Sequence, residues 1–314
     1  MLRLFALATL FLCVAGTARA ADRLTVLLDW YVNPDHGPLV VAREKGFFAK
    51  ENLEVELIAP SDPNDPPKLV AAEQADIAVT YQPQLHLQVA AGLPLVRIGT
   101  LVSTPLNTVV ALADGPISSL ADLKGKRVGF SVAGFEDVLL GTMLKTHGLS
   151  LADVNLINVN FSLSPALISG QVDAVIGAFR NVEIPQMALL GHPGRGFYPE
   201  EEGVPPYDEL IYAAHRDGLD RPELRRFLRA VEAATQWVLN HPGEAWEVFK
   251  ATDAALDNEA NYQAWLETVR RFAHSPAALD QGRYDQFATF LKEQGLLQEV
   301  PELSSYAVDL NATR

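Results

Sequence analysis

Cysteine is almost missing from this chain: its 314 residues hold one, Cys13. That thiol lies in an N-terminal apolar stretch, so the rest of the chain forms no disulfide or thiolate metal site and offers no Cys nucleophile. After residue 20 no apolar run is long enough to span a bilayer. Cations are scarce too: 25 Lys and Arg stand against 39 Asp and Glu, a formal net charge of −14. Such a surface repels nucleic acid and anionic lipid, and it also keeps an abundant protein soluble. The histidines His36, His86, His147, His192, His215, His241 and His274 lack metal-ligand spacing. There is no nucleophile elbow, P-loop or G-x-G-x-x-G fingerprint. Thiol chemistry, nucleotide phosphate binding and nucleic-acid recognition are thereby set aside.

The N-terminus carries a secretion pattern. Arg3 gives a positive start, residues 4–15 an apolar core, and Ala18-Arg19-Ala20 a small-x-small cleavage site. Cys13 follows the bulky Leu12, where a lipid-attachment site carries a small residue, so cleavage is expected after Ala20. Loss of Arg3 and Arg19 then moves the charge from −14 to −16. The mature chain is expected to be exported and periplasmic.

From there to about residue 215 strand-like and helix-like segments alternate. Strands are expected at 24–28, 54–58, 76–79, 96–101, 109–113, 127–132, 156–159, 174–177 and 210–214. Most are near-continuous apolar runs, as in strands buried on both faces. Helices are expected between them, at 66–72, 85–91, 137–146, 165–169 and 182–190. A short repeat, Glu73-Gln74-Ala75-Asp76-Ile77-Ala78 against Gly170-Gln171-Val172-Asp173-Ala174-Val175, fits two similar halves. From Asp220 onward only helices are expected, beginning with the apolar stripe Leu224, Phe227, Leu228, Val231 and Val238. The reading is an α/β fold of two lobes. Residues 21–110 and 212–314 would form lobe 1 and residues 111–211 lobe 2, with the C-terminal helices packed on lobe 1. A cleft between lobes suits a small ligand, and hinge closure is the matching motion.

The loop after the first strand is dense in ligand-capable groups: Asp29, Trp30, Tyr31, Asn33 and His36. In an open α/β sheet, ligands sit beyond the carboxyl ends of strands. Several stretches around it resemble one family. They are D-W-x-x-N-P-x-H-x-P at 29–38, A-R-E-K-G-F-F at 42–48, L-x-V-E-L at 53–57 and S-D-P-N-D at 61–65. A-D-I-A at 75–78, L-K-G-K-R-V-G at 123–129 and G-Q-V-D-A-V-I-G at 170–177 complete the set. Together, over about residues 24–250, they resemble the thiamine-pyrimidine synthase and precursor-binding family. More distantly the chain is similar to nitrate-, sulfonate- and taurine-binding proteins.

The resemblance implies a two-lobed, type II-like periplasmic-binding-protein fold. One family branch holds binding proteins of ABC importers for pyrimidine precursors; the other makes the pyrimidine from pyridoxal phosphate and one of its own histidines. Aligned on A-D-I-A, the synthase lysine falls at Thr80 and the consumed histidine at Gln84, with His86 two positions on. The synthase's cysteine-rich motif has no counterpart. The expectation is therefore a binding protein, not an enzyme, with no cofactor and no metal. It would be a monomer that delivers an aminopyrimidine to an inner-membrane permease. Alternatives are a binding protein for a sulfonate, a nitrate-type anion or another heterocycle, or a synthase.

Each candidate site residue has a plainer alternative. Trp30 is expected to stack on a flat ring and Tyr31 to be core, or the reverse. Tyr81 with Gln82, after the third strand, is expected to face the ligand from the other side. Asn33 and His36 are candidates for ring nitrogens or a formyl oxygen, or else for turn and cap roles. Ser131 and Gly134, at a strand-to-helix turn, offer backbone N–H groups to the cleft. Glu136 and Asp137 in the next helical turn disfavour an anion there. Asn181 and Glu183 are the second lobe's counterparts of Tyr81, and Glu183 is suited to an amino group beside a protonated ring nitrogen.

Overall fold

The computed structural model describes residues 20–312. The expected signal peptide, Ala20 apart, lies outside the described residues. Ten strands form two five-stranded sheets. The first, in the order β2-β1-β3-β10-β4, uses β1 (Asp22–Leu27), β2 (Leu53–Ile58), β3 (Ile77–Thr80), β4 (Leu95–Val102) and β10 (Leu210–His215). The second, β7-β6-β8-β5-β9, uses β5 (Asn107–Leu112), β6 (Arg127–Phe130), β7 (Asn155–Asn158), β8 (Ala174–Phe179) and β9 (Gly194–Phe197). β1 runs parallel to β2 and β3, and β6 to β7 and β8. In each sheet one strand is antiparallel to both its neighbours: β10 in the first, β5 in the second.

The helices are α1 (Gly37–Glu44), α2 (Phe47–Lys50), α3 (Pro66–Ala71), α4 (Gln82–Ala90), α5 (Glu136–Thr146), α6 (Leu163–Ile168), α7 (Glu183–Leu189), α8 (Pro222–Asn240), α9 (Pro242–Lys250), α10 (Glu259–Val269) and α11 (Gln281–Glu293). Gly46, at φ +73°, makes the left-handed corner between α1 and α2 that a side chain would strain. Strand alternation sends side chains to two helical layers. In the first sheet Ile77, Val79, Tyr212 and Ala214 pack with α1 and α8, while Ala78 and Ile211 pack with α3, α4 and Tyr284 of α11. In the second, Val110 and Val175 meet α6 and Met187, while Val109, Ala111 and Ile176 share a core with Leu139, Leu140 and Met143 of α5. With both faces covered, strands read as continuous apolar runs. β9 does not: Gly-Arg-Gly-Phe carries no apolar run and was not expected, because it is an edge strand held by backbone pairing to β5.

The chain passes between sheets twice, between Val102 and Asn107 and between Phe197 and Leu210. The boundaries expected at 110/111 and 211/212 therefore fall inside β5 and β10. Glu209 binds the crossings side by side, its carboxylate accepting the Leu106 N–H at 2.5 Å and the Asn107 N–H at 2.9 Å. The C-terminal segment packs on the first lobe through α8 and α9 against α1. Buried Arg97 of β4 fastens it further, donating to the carbonyls of Ala277 at 2.9 Å and Val308 at 3.1 Å. α10 departs from the expected arrangement, since it also meets α7 of the second lobe.

Candidate functional site

A small cavity lies where the two lobes meet. Asp29, Trp30, Asn33 and Tyr81 line it from the first lobe, and Glu136, Leu163, Gly177, Phe179, Val182 and Glu183 from the second. Asp29, Trp30, Tyr81, Phe179 and Glu183 sit at or just past strand carboxyl ends, where the topology directs ligands.

The first-lobe wall is a fixed network. Asp29 Oδ1 is 2.9 Å from His36 Nε2, and Oδ2 accepts the Tyr81 hydroxyl at 3.0 Å. His36 Nδ1 accepts the Asn33 N–H at 3.2 Å, so Nε2 is the donor toward Asp29. Asn33 caps the short turn Pro34–His36 by accepting the Asp35 N–H at 2.8 Å. Tyr81 is stacked on Phe135 of the second lobe at 4.8 Å and meets Phe179 edge-on at 6.4 Å. Trp30 meets Phe161, also from the second lobe, edge-on at 4.6 Å. Aromatic contacts thus join the lobes on two sides of the cavity.

The second-lobe wall carries two carboxyls, of buried Glu136 and half-buried Glu183. Glu183 accepts the Phe179 N–H at 2.7 Å, and Glu136 accepts the Ser131 N–H at 2.7 Å. Burial pushes Glu136 up to about 8 and Glu183 up to about 7, against the pull of those backbone donors. At neutral pH Glu136 is thus chiefly a protonated acid. Gly177 stands at φ +103°, and a Cβ there would lie 2.6 Å from the Glu136 carboxyl carbon. A glycine is required both for the backbone and for room beside the acid.

Of the residues expected from sequence, Trp30, Asn33, Tyr81 and Glu183 come together at this cavity. The others do not line it. Tyr31 is 54% exposed and packs on Phe161 at 4.5 Å, outside the cavity wall. His36 is fully buried behind Asp29, as a cap and brace. Gln82 turns into the first lobe, where its Oε1 accepts the Asp208 N–H at 2.7 Å. Ser131 is buried, its hydroxyl spent on the Asn160 carbonyl and its N–H on Glu136. Gly134 makes a left-handed turn at φ +79° toward an outer groove shared with Lys68 and Gln84. Asn181 is buried between Asp35 and Thr268, donating to them at 2.6 and 2.7 Å. Glu183 is also more constrained than a freely bidentate acid, since the Phe179 N–H already occupies Oε2.

The sequence pointed to Asp29 and Glu136 without assigning either as a ligand contact, and it passed over Phe161, Gly177 and Phe179. The signal for Asp29 was its place in the ligand-rich loop; for Glu136 it was an acid in the first turn after an expected strand. Phe161 and Phe179 gave none, because a core aromatic reads the same way. Thr80 and Gln84 are buried and bonded to each other, Thr80 Oγ1 donating to Gln84 Oε1 at 2.6 Å. Among the described residues no group of His, Cys, Asp or Glu is arranged to hold a metal, and no helix is long and apolar enough to cross a membrane.

Comparison with known proteins agrees with this architecture. The chain is 53% identical over 292 residues to a Haemophilus influenzae protein named as a thiamine biosynthesis protein, covering 93% of each. It is 36% identical over 263 residues to the formylaminopyrimidine-binding protein of Halalkalibacterium halodurans, covering 82% of this chain and 78% of that one. It is also 30% identical over 254 residues to a 4-amino-5-hydroxymethyl-2-methylpyrimidine phosphate synthase of Uromyces fabae, covering 77% and 74%. In structure it is similar to the alkanesulfonate-binding protein of Xanthomonas axonopodis pv. citri bound to MOPS. There the TM-score is 0.73 at 16% identity, covering 92% of this chain and 99% of that one. The fold is that of periplasmic binding proteins. Residues 33–245 match the family described as NMT1/THI5 like, and the chain belongs to that family.

Proposed function

We propose that this protein is the periplasmic solute-binding component of an ABC importer and captures a thiamine-type aminopyrimidine between its lobes. One observation carries the reading: an interlobe cavity walled by aromatic rings and carboxyls from both lobes. A neutral aminopyrimidine offers an amino donor beside a ring-nitrogen acceptor. Glu136 and Glu183 each hold Oε2 on a backbone N–H, so each offers its remaining oxygen to one of these groups, a contact that survives if the proton moves to the ring. Ring faces add about 0.5–1.5 kcal/mol per aromatic contact beyond area burial. The naming of the Halalkalibacterium relative supports the same ligand class.

A synthase reading is less well supported. The two positions that carry the reactive lysine and histidine by resemblance hold a buried Thr80–Gln84 pair, and no lysine is among the residues lining the cavity. A sulfonate or nitrate ligand is disfavoured by the acids and by the lack of Lys or Arg in the lining. The work done is then binding that favours the closed arrangement, which an inner-membrane permease would read; the protein would act as a monomer.

Native mass spectrometry of freshly purified protein, followed by calorimetry, tests this. The expected result is one molecule of formylaminopyrimidine or 4-amino-5-hydroxymethyl-2-methylpyrimidine bound per chain. Heat of binding from a sulfonate or nitrate but from no aminopyrimidine would overturn it.

A further inference from the structure

The turn between β6 and α5 has the features of an oxyanion seat. It ends a strand and opens an eleven-residue helix, and its Ser131 N–H meets the carboxyl of Glu136, which lines the interlobe cavity. In this chain the seat is already filled. Glu136, at the first position of α5, folds its side chain back so that Oε2 accepts the Ser131 N–H at 2.7 Å, and the Val132 N–H also stabilises the carboxylate. The side chain is buried and lines the cavity. A second observation makes this a built feature: Gly177 on β8 leaves open the space the carboxyl fills, where any Cβ would lie within 2.6 Å of the carboxyl carbon.

We propose that Glu136 is a built-in plug of an anion seat and the specificity-determining residue that restricts this site to ligands without a phosphate or sulfonate group. The proposal rests on the aminopyrimidine reading above and deepens it, by separating an alcohol or amide of the pyrimidine from its phosphate ester. Exclusion works through occupancy. The donors that would hold an oxyanion are spent on the protein's own carboxyl, and the lining offers no Lys or Arg to replace them. An incoming phosphate would lose its water without gaining partners, which is costly for any ion. Occupancy predicts a pattern that simple charge repulsion does not. A glutamine at position 136 still presents an oxygen to the same N–H groups and keeps the seat filled, whereas an alanine empties it.

The test is calorimetry on wild type, Glu136→Gln and Glu136→Ala. The ligands are 4-amino-5-hydroxymethyl-2-methylpyrimidine, its phosphate monoester and inorganic phosphate. Circular dichroism confirms that each variant is folded. Wild type and Glu136→Gln should favour the alcohol over the ester by a hundredfold or more. Glu136→Ala should narrow that ratio at least tenfold, by gaining affinity for the ester. Wild type binding both forms within threefold would overturn the proposal. So would a folded Glu136→Ala with an unchanged ratio, or a Glu136→Gln that admits the ester as readily as Glu136→Ala. Failure of the ligand reading is distinct: no variant would then bind either pyrimidine. Inorganic phosphate alone would still decide the plug, since Glu136→Ala should bind it at least tenfold more tightly than wild type or Glu136→Gln, and equal binding by all three would overturn it.

Discussion

The side-chain amide of Asn181 donates to Asp35 Oδ1 at 2.6 Å, across the boundary between the lobes. Thr268 of α10 donates to the same carboxylate oxygen at 2.9 Å, and Asn181 also reaches Thr268 Oγ1 at 2.7 Å. Three elements distant in sequence therefore meet in one buried polar knot. On the other side of the β6–α5 turn, Asn64 makes a second cross-lobe pair. It donates to the Ser131 carbonyl at 3.1 Å and accepts the Ala133 N–H at 2.9 Å. These contacts span the two lobes, so in the proposed hinge closure they would favour the closed form.

Asn181→Ala should weaken ligand binding without touching the ligand. It leaves the Asp35 carboxyl with one donor fewer in a buried place, a cost of about 1–3 kcal/mol to the closed form alone. Opening wets the site and relieves that cost. The affinity should fall by about fivefold to a hundredfold. Small-angle scattering should find the ligand-free variant more extended than wild type. Unchanged affinity and an unchanged scattering profile would remove the knot from any role in closure.

Trp30→Ala should weaken aminopyrimidine binding at least tenfold. It removes ring area at the cavity mouth and the contact with Phe161 that closes that side. Trp30→Phe should recover part of the loss. Titration followed by tryptophan fluorescence gives a direct check. The other tryptophans, Trp237, Trp246 and Trp265, are not among the cavity residues, so the ligand-dependent change should vanish with Trp30.

Sequence pattern made the fold legible where physics is local. Leu24, Val26 and Leu28 are buried on one face of the first sheet and Leu27 on the other, and this apolar run marked a strand without ambiguity. Pro222 in the first turn and the Leu224, Phe227, Leu228, Val231 stripe marked α8 equally well. β9 stayed hidden because pairing to β5, not its own side chains, makes it a strand. At the site, Trp30 and Glu183 were legible because each stands at a strand's carboxyl end. Asn181 stands at the same topological place yet faces Asp35, and Gln82 faces the Asp208 backbone. Which of two neighbours turns to the ligand is set by contacts 100 or more residues away, which a single sequence does not encode locally.

Gly177→Ala should lower the melting temperature and impair binding together. The alanine must hold φ near +103°, which costs about 1–3 kcal/mol, and its Cβ would displace the Glu136 carboxyl. Glu136→Ala should relieve the crowding but not the backbone strain. A double-mutant cycle by thermal denaturation should therefore give a favourable coupling between the two changes and incomplete rescue. Strict additivity would mean that the two residues do not compete for the same space.

Ligand-free protein should lose thermal stability as pH rises from about 6.5 to 8.5. Burial raises Glu136 to about 8, Glu183 to about 7 and Glu209 to about 7. The folded chain therefore holds protons in this range that the unfolded chain, with ordinary carboxyls, has already released. Stability falls with pH wherever the folded state binds more protons. The contribution of these acids is complete below the ordinary carboxylate range and disappears as pH passes through their raised values. His86 works in the opposite sense but lower down: burial lowers it to about 3, so it destabilises only below its ordinary value near 6.5. Above that point the acids act without this opposition. Melting curves at half-unit steps from pH 6.5 to 8.5 should slope downward, and Glu136→Gln should flatten the upper part of the slope because it has no proton to lose. A melting temperature that is level or rising across this interval in wild type would contradict the burial of these carboxyls in the folded protein.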